Sequence, residues 1–208
     1  MRLRAKVMSR LVRHAGFRLF RFFARPLEAD AVPLSTGGSI RMLGEEEVAA
    51  FCSDPDLDLR PDSVKAAFRR GDLCLGSFDG DVLAGYCWLA FEPLAHLDGV
   101  FVEFARDVVW TYKSLVRHTY RGKGVAPALY RHADRACLER SRKVSLICVE
   151  SHNVPSIAAA LRAGYRSAGS AAYARRGSFF ADWYSPGLVQ RYGLSFFVPE
   201  WWPETASP

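Results

Sequence analysis

The 208-residue sequence lacks an uninterrupted apolar run of the roughly 18 residues that a membrane-spanning helix needs. Charged residues also interrupt the stretch near the N-terminus that could otherwise form the core of a signal peptide. Cysteine is scarce: the five cysteines are odd in number, scattered, and without a Cys-x-x-Cys pair. This pattern excludes a disulfide framework and a Cys-x-x-Cys metal site, so we expect reduced thiols in the core of a cytosolic globular protein, and no metal.

Acidic residues are missing from the first 27 positions, which contain eight Arg or Lys. Since the net charge is +6, residues 28–208 are left at about −2, and a nucleic-acid partner for the whole protein is not expected. At 100° per residue, eight apolar residues between Val7 and Phe23 share one side and four basic residues lie opposite, although Phe17 and Phe20 do not fit. Residues 1–27 therefore predict a basic amphipathic helix.

Such a helix suits an anionic membrane surface. The alternatives are a helix docked on its own domain or on a partner, a targeting peptide, and a disordered arm. Residues 28–38 contain a Ser-Thr-Gly-Gly run and are interpreted as a linker. At the other end, residues 199–208 form an aromatic and proline-rich tail, in which Trp201 and Trp202 suit a membrane interface, a homodimer contact or the mouth of an acyl-chain groove.

Short glycine motifs for nucleotides are also missing: the chain has neither Gly-x-x-x-x-Gly-Lys-Ser/Thr nor Gly-x-Gly-x-x-Gly. What it has is Arg-Gly-Lys-Gly-Val-Ala at residues 121–126, between an apolar run that ends at Val116 and a helical pattern from Gly124 to Arg140. Glycines let the backbone approach a ligand closely, and successive N–H groups at a helix start form an anion cradle. The predicted ligand is a pyrophosphate. The predicted binding residues are Arg121, Gly122, Lys123, Gly124, Val125 and Ala126.

The remaining pattern alternates helices and strands. Helices are predicted from Glu45, from Pro61 to about Gly71, and from Val154 to Ala163 after the N-cap Asn153. Asp79-Gly80 predicts a hairpin turn, and further strands are expected over 39–43, 73–78, 82–91, 100–104, 108–116, 144–149, 165–174 and 178–184.

Two of these segments together resemble a known family. Residues 116–129 resemble the coenzyme-A-binding segment of the GNAT acyltransferase superfamily, and Asn153-Val154-Pro155-Ser156 followed by Gly164-Tyr165 resembles its second conserved block. The similarity covers roughly residues 38–175. It implies an α/β (α+β) fold with a mixed, largely antiparallel sheet of about six to seven strands, flanked by helices and splayed at the acyl-CoA cleft. The expected domain spans residues 39–198.

The resemblance also implies roles for individual residues. Leu115 and Val116 match strand positions whose backbone pairs with the pantetheine arm of CoA, while Asn153 and Ser156 match the second block. Ala160 occupies the position where many members of the family have a tyrosine that protonates the departing thiolate. For that step Tyr173 and Tyr165 are candidates, and Glu150 is the first candidate for the general base, with Glu92 and Glu103 as alternatives.

The leading hypothesis is therefore a peripheral membrane N-acyltransferase on the inner membrane face that uses acetyl-CoA or a longer acyl-CoA. Its expected acceptor is an amine, which could itself be lipid-like. One alternative is a soluble cytoplasmic acetyltransferase that acts on a protein N-terminus or a small amine. The other is a CoA-binding regulatory module without catalysis.

Overall fold

The computed structural model describes residues 16–29 and 38–200. Eight strands form one sheet in the order β10-β9-β1-β8-β7-β4-β3-β2, and three short strands form a second sheet in the order β11-β6-β5. The strands are β1 Phe17–Pro26, β2 Ser39–Leu43, β3 Leu73–Asp79, β4 Val82–Ala90, β5 Leu94–Ala95, β6 Phe101–Glu103, β7 Val108–Val116, β8 Val144–Glu150, β9 Arg166–Arg176, β10 Phe179–Tyr184 and β11 Ser195–Phe197.

Within the described residues, six α-helices connect and cover these strands: α1 Glu45–Ala50, α2 Pro61–Arg70, α3 Val125–His132, α4 Asp134–Glu139, α5 Val154–Arg162 and α6 Leu188–Tyr192. Gly71 ends α2 with φ of 85°, a left-handed conformation that glycine adopts without the steric cost of a Cβ. The single helix expected over 124–140 is divided at Ala133 into α3 and α4. Expectations for the other two long helices are confirmed to within a residue.

The large sheet is mostly antiparallel, and β7 with β8 is the parallel pair among the described strands. These two strands pair only from Val108 with Val144 to Thr111 with Ile147. Beyond Thr111 they separate, while β7 stays paired with β4 as far as Val116. The sheet is therefore open between β7 and β8 at their carboxyl ends, as expected for the splayed cleft.

The prediction of a helix through residue 27 is wrong for residues 17–26, which form β1 in the middle of the sheet. β1 is antiparallel to both neighbours, with Phe20 opposite Glu150 of β8 and opposite Ala171 of β9. The physical reason is that the stretch also fits a two-residue period: Phe20 and Phe22 point to one buried face, while Phe23 points to the other. Hydrogen bonding of β1 to β8 and to β9 outweighs the helical pattern. The first part of the predicted helix, residues 1–15, lies outside the described part of the chain.

The predicted domain boundary at residue 39 is consequently wrong, because β1 belongs to the same sheet. β1 is tied to the helical layer by Arg25, whose guanidinium donates to both carboxylate oxygens of Asp134 on α4 at 2.5 and 2.6 Å. Both faces of β8 are packed, with Leu146 in one buried cluster and Ile147 and Val149 in the other. The continuous apolar run of β8 is explained by this double coverage.

The small sheet and α6 lie at the C-terminal end of the described chain. Phe196 of β11 is buried against Phe20 and Tyr173, so part of the aromatic C-terminal region closes the core. Trp201 and Trp202 lie outside the described residues.

Candidate active site

The glycine loop lies where the sequence predicts it, between the end of β7 and the start of α3. Gly122 and Gly124 have φ of 81° and 83°, and a Cβ added at either would meet no other atom within 4 Å. Open space next to a left-handed backbone leaves room for a ligand while disfavouring side chains. The N–H groups of the first turn of α3 lack helical acceptors, so Val125 and Ala126 present donors at the positive end of the helix dipole.

Two cations flank this loop. Arg121 is exposed and donates from Nε to the carbonyl of Val116 at 3.1 Å, while Nζ of the exposed Lys123 lies 5.0 Å above the ring of Tyr120. No acidic side chain forms an ion pair with either cation in the described part of the structure. Both charges are therefore available to an anion at the loop.

A cleft of about 780 Å³ occupies the opening between β7 and β8. Tyr112, Lys113 and Ser114 all line it, although consecutive residues of a regular strand face opposite sides. The cause is a β-bulge, since Lys113 has φ of 42° and the register with β4 shifts between Tyr112 and Leu115.

Leu115 and Val116 pair with Tyr86 and Gly85 of β4. Neither residue is among those that line the cleft. On their other edge β8 has already diverged, and no described strand pairs with that edge of residues 112–116. The pairing of an extended ligand arm with this edge stays a prediction.

Asn153 and Ser156 line the opposite side of the cleft at the start of α5. The side-chain oxygen of Asn153 accepts a hydrogen bond from the Ser156 N–H at 3.3 Å, so its predicted capping role is present. Asn153 thus both starts the helix and lines the cleft.

Glu150 ends β8 at the cleft. Its carboxylate accepts from Arg18 Nη1 at 3.1 Å and lies 3.3 Å from His152 Nε2. Arg18 also binds Asp98 through two hydrogen bonds of 2.7 and 2.9 Å. The alternatives Glu92 and Glu103 are exposed and do not line the cleft.

Tyr173 is almost fully buried and does not line the cleft. Its hydroxyl donates to the carbonyl of Leu97 at 3.2 Å and lies 3.3 Å from Nδ1 of His96. Because the single tyrosine proton is used on Leu97, His96 Nδ1 is the donor to Tyr173, and Nε2 keeps its lone pair 3.8 Å from Cys148 Sγ. Burial lowers the pKa of His96 to about 4, so the ring is neutral at pH 7.

The cleft continues on the other side of the sheet toward α2. There the Tyr112 hydroxyl donates to Asp72 at 2.5 Å and accepts from Arg70 Nη2 at 3.1 Å. Burial raises the pKa of Asp72, while its hydrogen bonds to Arg70 and Tyr112 act in the opposite direction. Residue spacing does not predict this group, because Tyr112 is 40 positions from Asp72 in the chain.

Comparison with known families decides what this arrangement is. A family model described as "Acetyltransferase (GNAT) family" matches residues 41–165, more than half of the chain. The chain belongs to the GNAT acetyltransferase family. No curated protein matches this GNAT chain.

Solved structures share the fold. They include a GNAT acetyltransferase from Novosphingobium aromaticivorans, described as putative, with TM-score 0.51, 16% identity, and coverage of 76% of this chain and 65% of that one. A GCN5-related N-acetyltransferase from Sphaerobacter thermophilus has a TM-score of 0.50 and 18% identity, with coverage of 79% of this chain and 54% of that one. A GCN5-related N-acetyltransferase from Kribbella flavida has a TM-score of 0.50 and 13% identity, with coverage of 86% of this chain and 64% of that one. The GNAT chain spans about half to two thirds of the length of these structures.

The family match leaves β1, β9 and β10 outside its limits, and these three strands lie side by side at one edge of the large sheet. None of the helices in the described residues is long and apolar enough to cross a membrane. Within 16–29 and 38–200, no group of three or more His, Cys, Asp or Glu is placed to hold a metal ion.

Proposed function

We propose that this GNAT protein is an acyl-CoA-dependent N-acyltransferase that transfers an acetyl or longer acyl group to an amine. The observation that supports it is the continuity of one segment: the free edge of β7, the glycine loop and the start of α3 follow one another within residues 112–126. An anion cradle for a diphosphate thus joins directly to an open strand edge for an extended arm.

In this proposal the pyrophosphate of CoA is bound by the N–H groups of Val125 and Ala126 and by the charges of Arg121 and Lys123. The pantetheine arm then follows the edge of residues 112–116 that faces away from β4 and is held there by backbone hydrogen bonds, as an added strand would be. Asn153 and Ser156 face it from α5. Binding at the loop fixes the thioester at the bulge, so the reaction gains from orientation.

The amine enters from the side of the sheet lined by α2 and attacks the thioester carbon. Glu150 is the proposed general base that takes a proton from the acceptor, directly or through a water molecule. Arg18 and His152 hold its carboxylate at the cleft. The N–H groups of the bulge stabilise the negative charge that develops on the carbonyl oxygen.

The test is incubation of the purified protein with a panel of acyl-CoAs and amines, with release of the CoA thiol as the readout. We expect turnover with at least one pair, and a Glu150→Gln variant that keeps its affinity for acyl-CoA but loses about 100-fold or more in kcat. Glu103→Gln, which removes an exposed carboxylate outside the cleft, is the matched control and should retain kcat. Tight CoA binding without turnover for any pair would instead support the regulatory module, an alternative that Ala160 favours.

A lipid-like acceptor at a membrane surface remains a proposal. Three of the eight apolar residues behind it, Leu19, Phe22 and Phe23, cannot face a membrane as part of a helix, because residues 17–26 belong to the sheet. The proposal now depends on residues 1–15, which contain five Arg or Lys. Anionic vesicles that sediment with the full chain and not with a chain lacking residues 1–15 would support it.

A further inference from the structure

The leaving thiolate of CoA needs a hydrogen-bond donor, and the position expected to supply one is apolar. Ala160 is fully buried in the cluster that also contains Tyr130 and Tyr165, and it does not line the cleft. If this enzyme assists the thiolate, another residue must place a donor in the opening between β7 and β8.

Two tyrosines near the cleft have their protons bound elsewhere. The Tyr112 hydroxyl donates to the carboxylate of Asp72, and the Tyr173 hydroxyl donates to the carbonyl of Leu97. A tyrosine has a single proton to donate, so neither can serve a ligand without breaking these bonds.

Tyr165 is also unsuitable. Its hydroxyl lies 2.6 Å from Ser145 Oγ, which is in turn 3.0 Å from Thr111 Oγ1, and its side chain is 2% exposed. This network lies beneath the point where β7 and β8 still pair, and Tyr165 does not line the cleft.

Tyr130 differs from all three. It is 3% exposed, yet it lines the cleft, and within the described ranges its hydroxyl makes no hydrogen bond to a carboxylate or a backbone carbonyl like those of Tyr112 and Tyr173. It lies on α3, five residues and therefore roughly 8 Å along the helix axis from Val125 at the anion cradle. The same helix thus presents a diphosphate site at its start and a phenol further into the opening.

Ser114 on the bulged part of β7 is the neighbour of this hydroxyl, and it also lines the cleft. Burial raises the pKa of Tyr130, so the phenol keeps its proton at neutral pH. Ser114 lowers this pKa through a hydrogen bond between the two side chains. Either hydroxyl of this pair can donate to the other, and when Ser114 donates, the Tyr130 proton is free for a group in the cleft.

We propose that Tyr130 donates this hydrogen bond to the CoA sulfur and stabilises the thiolate as the C–S bond breaks. In the step, the C–N bond of the amide forms and the C–S bond breaks, with its electron pair left on sulfur. The amine loses one proton to Glu150, and the thiolate takes up one proton to leave as the CoA thiol, so the number of protons is unchanged. The inference rests on the proposed acyl transfer and adds the residue that acts on the leaving group.

The experiment measures the pKa of the CoA thiol in the protein complex, from the ultraviolet difference absorbance of the thiolate during a pH titration. A hydrogen bond to a charged group is equivalent to about a 10- to 100-fold shift in an equilibrium, so the thiol pKa should be about one to two units higher in Tyr130→Phe than in the unchanged protein. Tyr192→Phe removes the same atom outside the cleft and should leave the value unchanged. Desulfo-CoA, which lacks the sulfur, should bind equally to all three proteins.

Turnover gives a second readout. Tyr130→Phe should lower kcat about 10- to 100-fold with acyl-CoA and less with an acyl aryl thioester, whose thiolate is less basic, while the KM for acyl-CoA stays the same. If CoA binds and its thiol pKa is equal in the Tyr130→Phe and unchanged proteins, the role of Tyr130 is overturned while acyl transfer stands. If CoA does not bind to the unchanged protein, both proposals are overturned.

Discussion

Arg25 of β1 and Asp134 of α4 form an ion pair whose side chains are 3% and 2% exposed. Arg25 also donates to the carbonyl of Tyr130 at 3.1 Å, and its guanidinium lies 5.3 Å from the centre of the Tyr165 ring. This pair joins the strand to the helical layer behind the proposed CoA site.

Replacing one partner of this pair should destabilise the protein strongly. Arg25→Met leaves the Asp134 carboxylate buried and unpaired, which costs about 3 to 5 kcal/mol of unfolding free energy. Urea unfolding measures the change. The control is Arg135→Ala, since Arg135 and Glu139 form an exposed pair that contributes less than about 1 kcal/mol. Equal midpoints for the two variants would contradict a structural role of the buried pair.

Gly124 should be required for CoA binding, since a side chain at this position would enter the open space in which we propose that the pyrophosphate binds. Gly124→Glu adds a like charge beside the diphosphate and should weaken CoA binding about 100-fold or more in calorimetry. Gly71→Glu is the matched control: Gly71 has φ of 85° and open surroundings, but it ends α2 away from the loop. It should lose similar stability and keep CoA affinity. Unchanged affinity in Gly124→Glu would argue against the loop as the anchor.

Two truncations should behave differently. Removal of residues 1–27 deletes β1 and leaves β8 and β9 without their common neighbour, so we expect an insoluble protein or one without a cooperative unfolding transition. Removal of residues 1–15 keeps every described contact of β1 and should leave cooperative unfolding and CoA binding intact. The measurement is thermal unfolding by circular dichroism. A stable chain without residues 1–27 would contradict the central position of β1.

His96 should make the protein less stable in acid. Burial, with a smaller contribution from Arg18, lowers the pKa of His96 to about 4, whereas Asp98 acts in the opposite direction. An unfolded histidine titrates near 6.5, so between these two values the unfolded chain binds more protons. The stabilisation is therefore present above pH 6.5 and is lost as the pH falls toward 4.

The test compares unfolding free energies at pH 7 and pH 4 in the unchanged protein and in His96→Phe, which fits the aromatic surroundings of Phe20 and Phe196. The loss on acidification should be smaller in the variant by about 2 to 3 kcal/mol. His132→Gln, a change at an exposed position on α3, serves as the control for substitution itself. Parallel pH profiles for His96→Phe and the unchanged protein would rule out this role.

The sequence sufficed for elements whose signals are local. The bounds of β2 and β7 are as predicted, because turn residues or charges flank them on both sides. The glycine loop and the Asn153 cap were also found, since each depends on backbone conformations that few residue types adopt. β1 was missed because helical and strand periods both fit its apolar residues, and only partners more than 100 positions away decide between them.

The site was predictable only where it belongs to one segment. Arg18, His96 and Tyr130 come from a strand, a loop and a helix, and no spacing in the sequence relates them. The helical pattern gave Arg18 no role, whereas in the structure its guanidinium donates to Glu150 at the cleft. Tyr130 was not singled out in the sequence, and nothing in its neighbours along the chain indicates that it lines the cleft.

The position of β1 has a consequence for biosynthesis. Arg18 and its partner Glu150 are separated by 132 positions, so the strand leaves the ribosome long before either neighbour exists. Until β8 and β9 are made, its phenylalanines stay exposed on a nascent chain with two unsatisfied edges, a state that favours chaperone capture and slow, non-local closure. Maturation of the catalytic opening thus waits for the final third of the polypeptide.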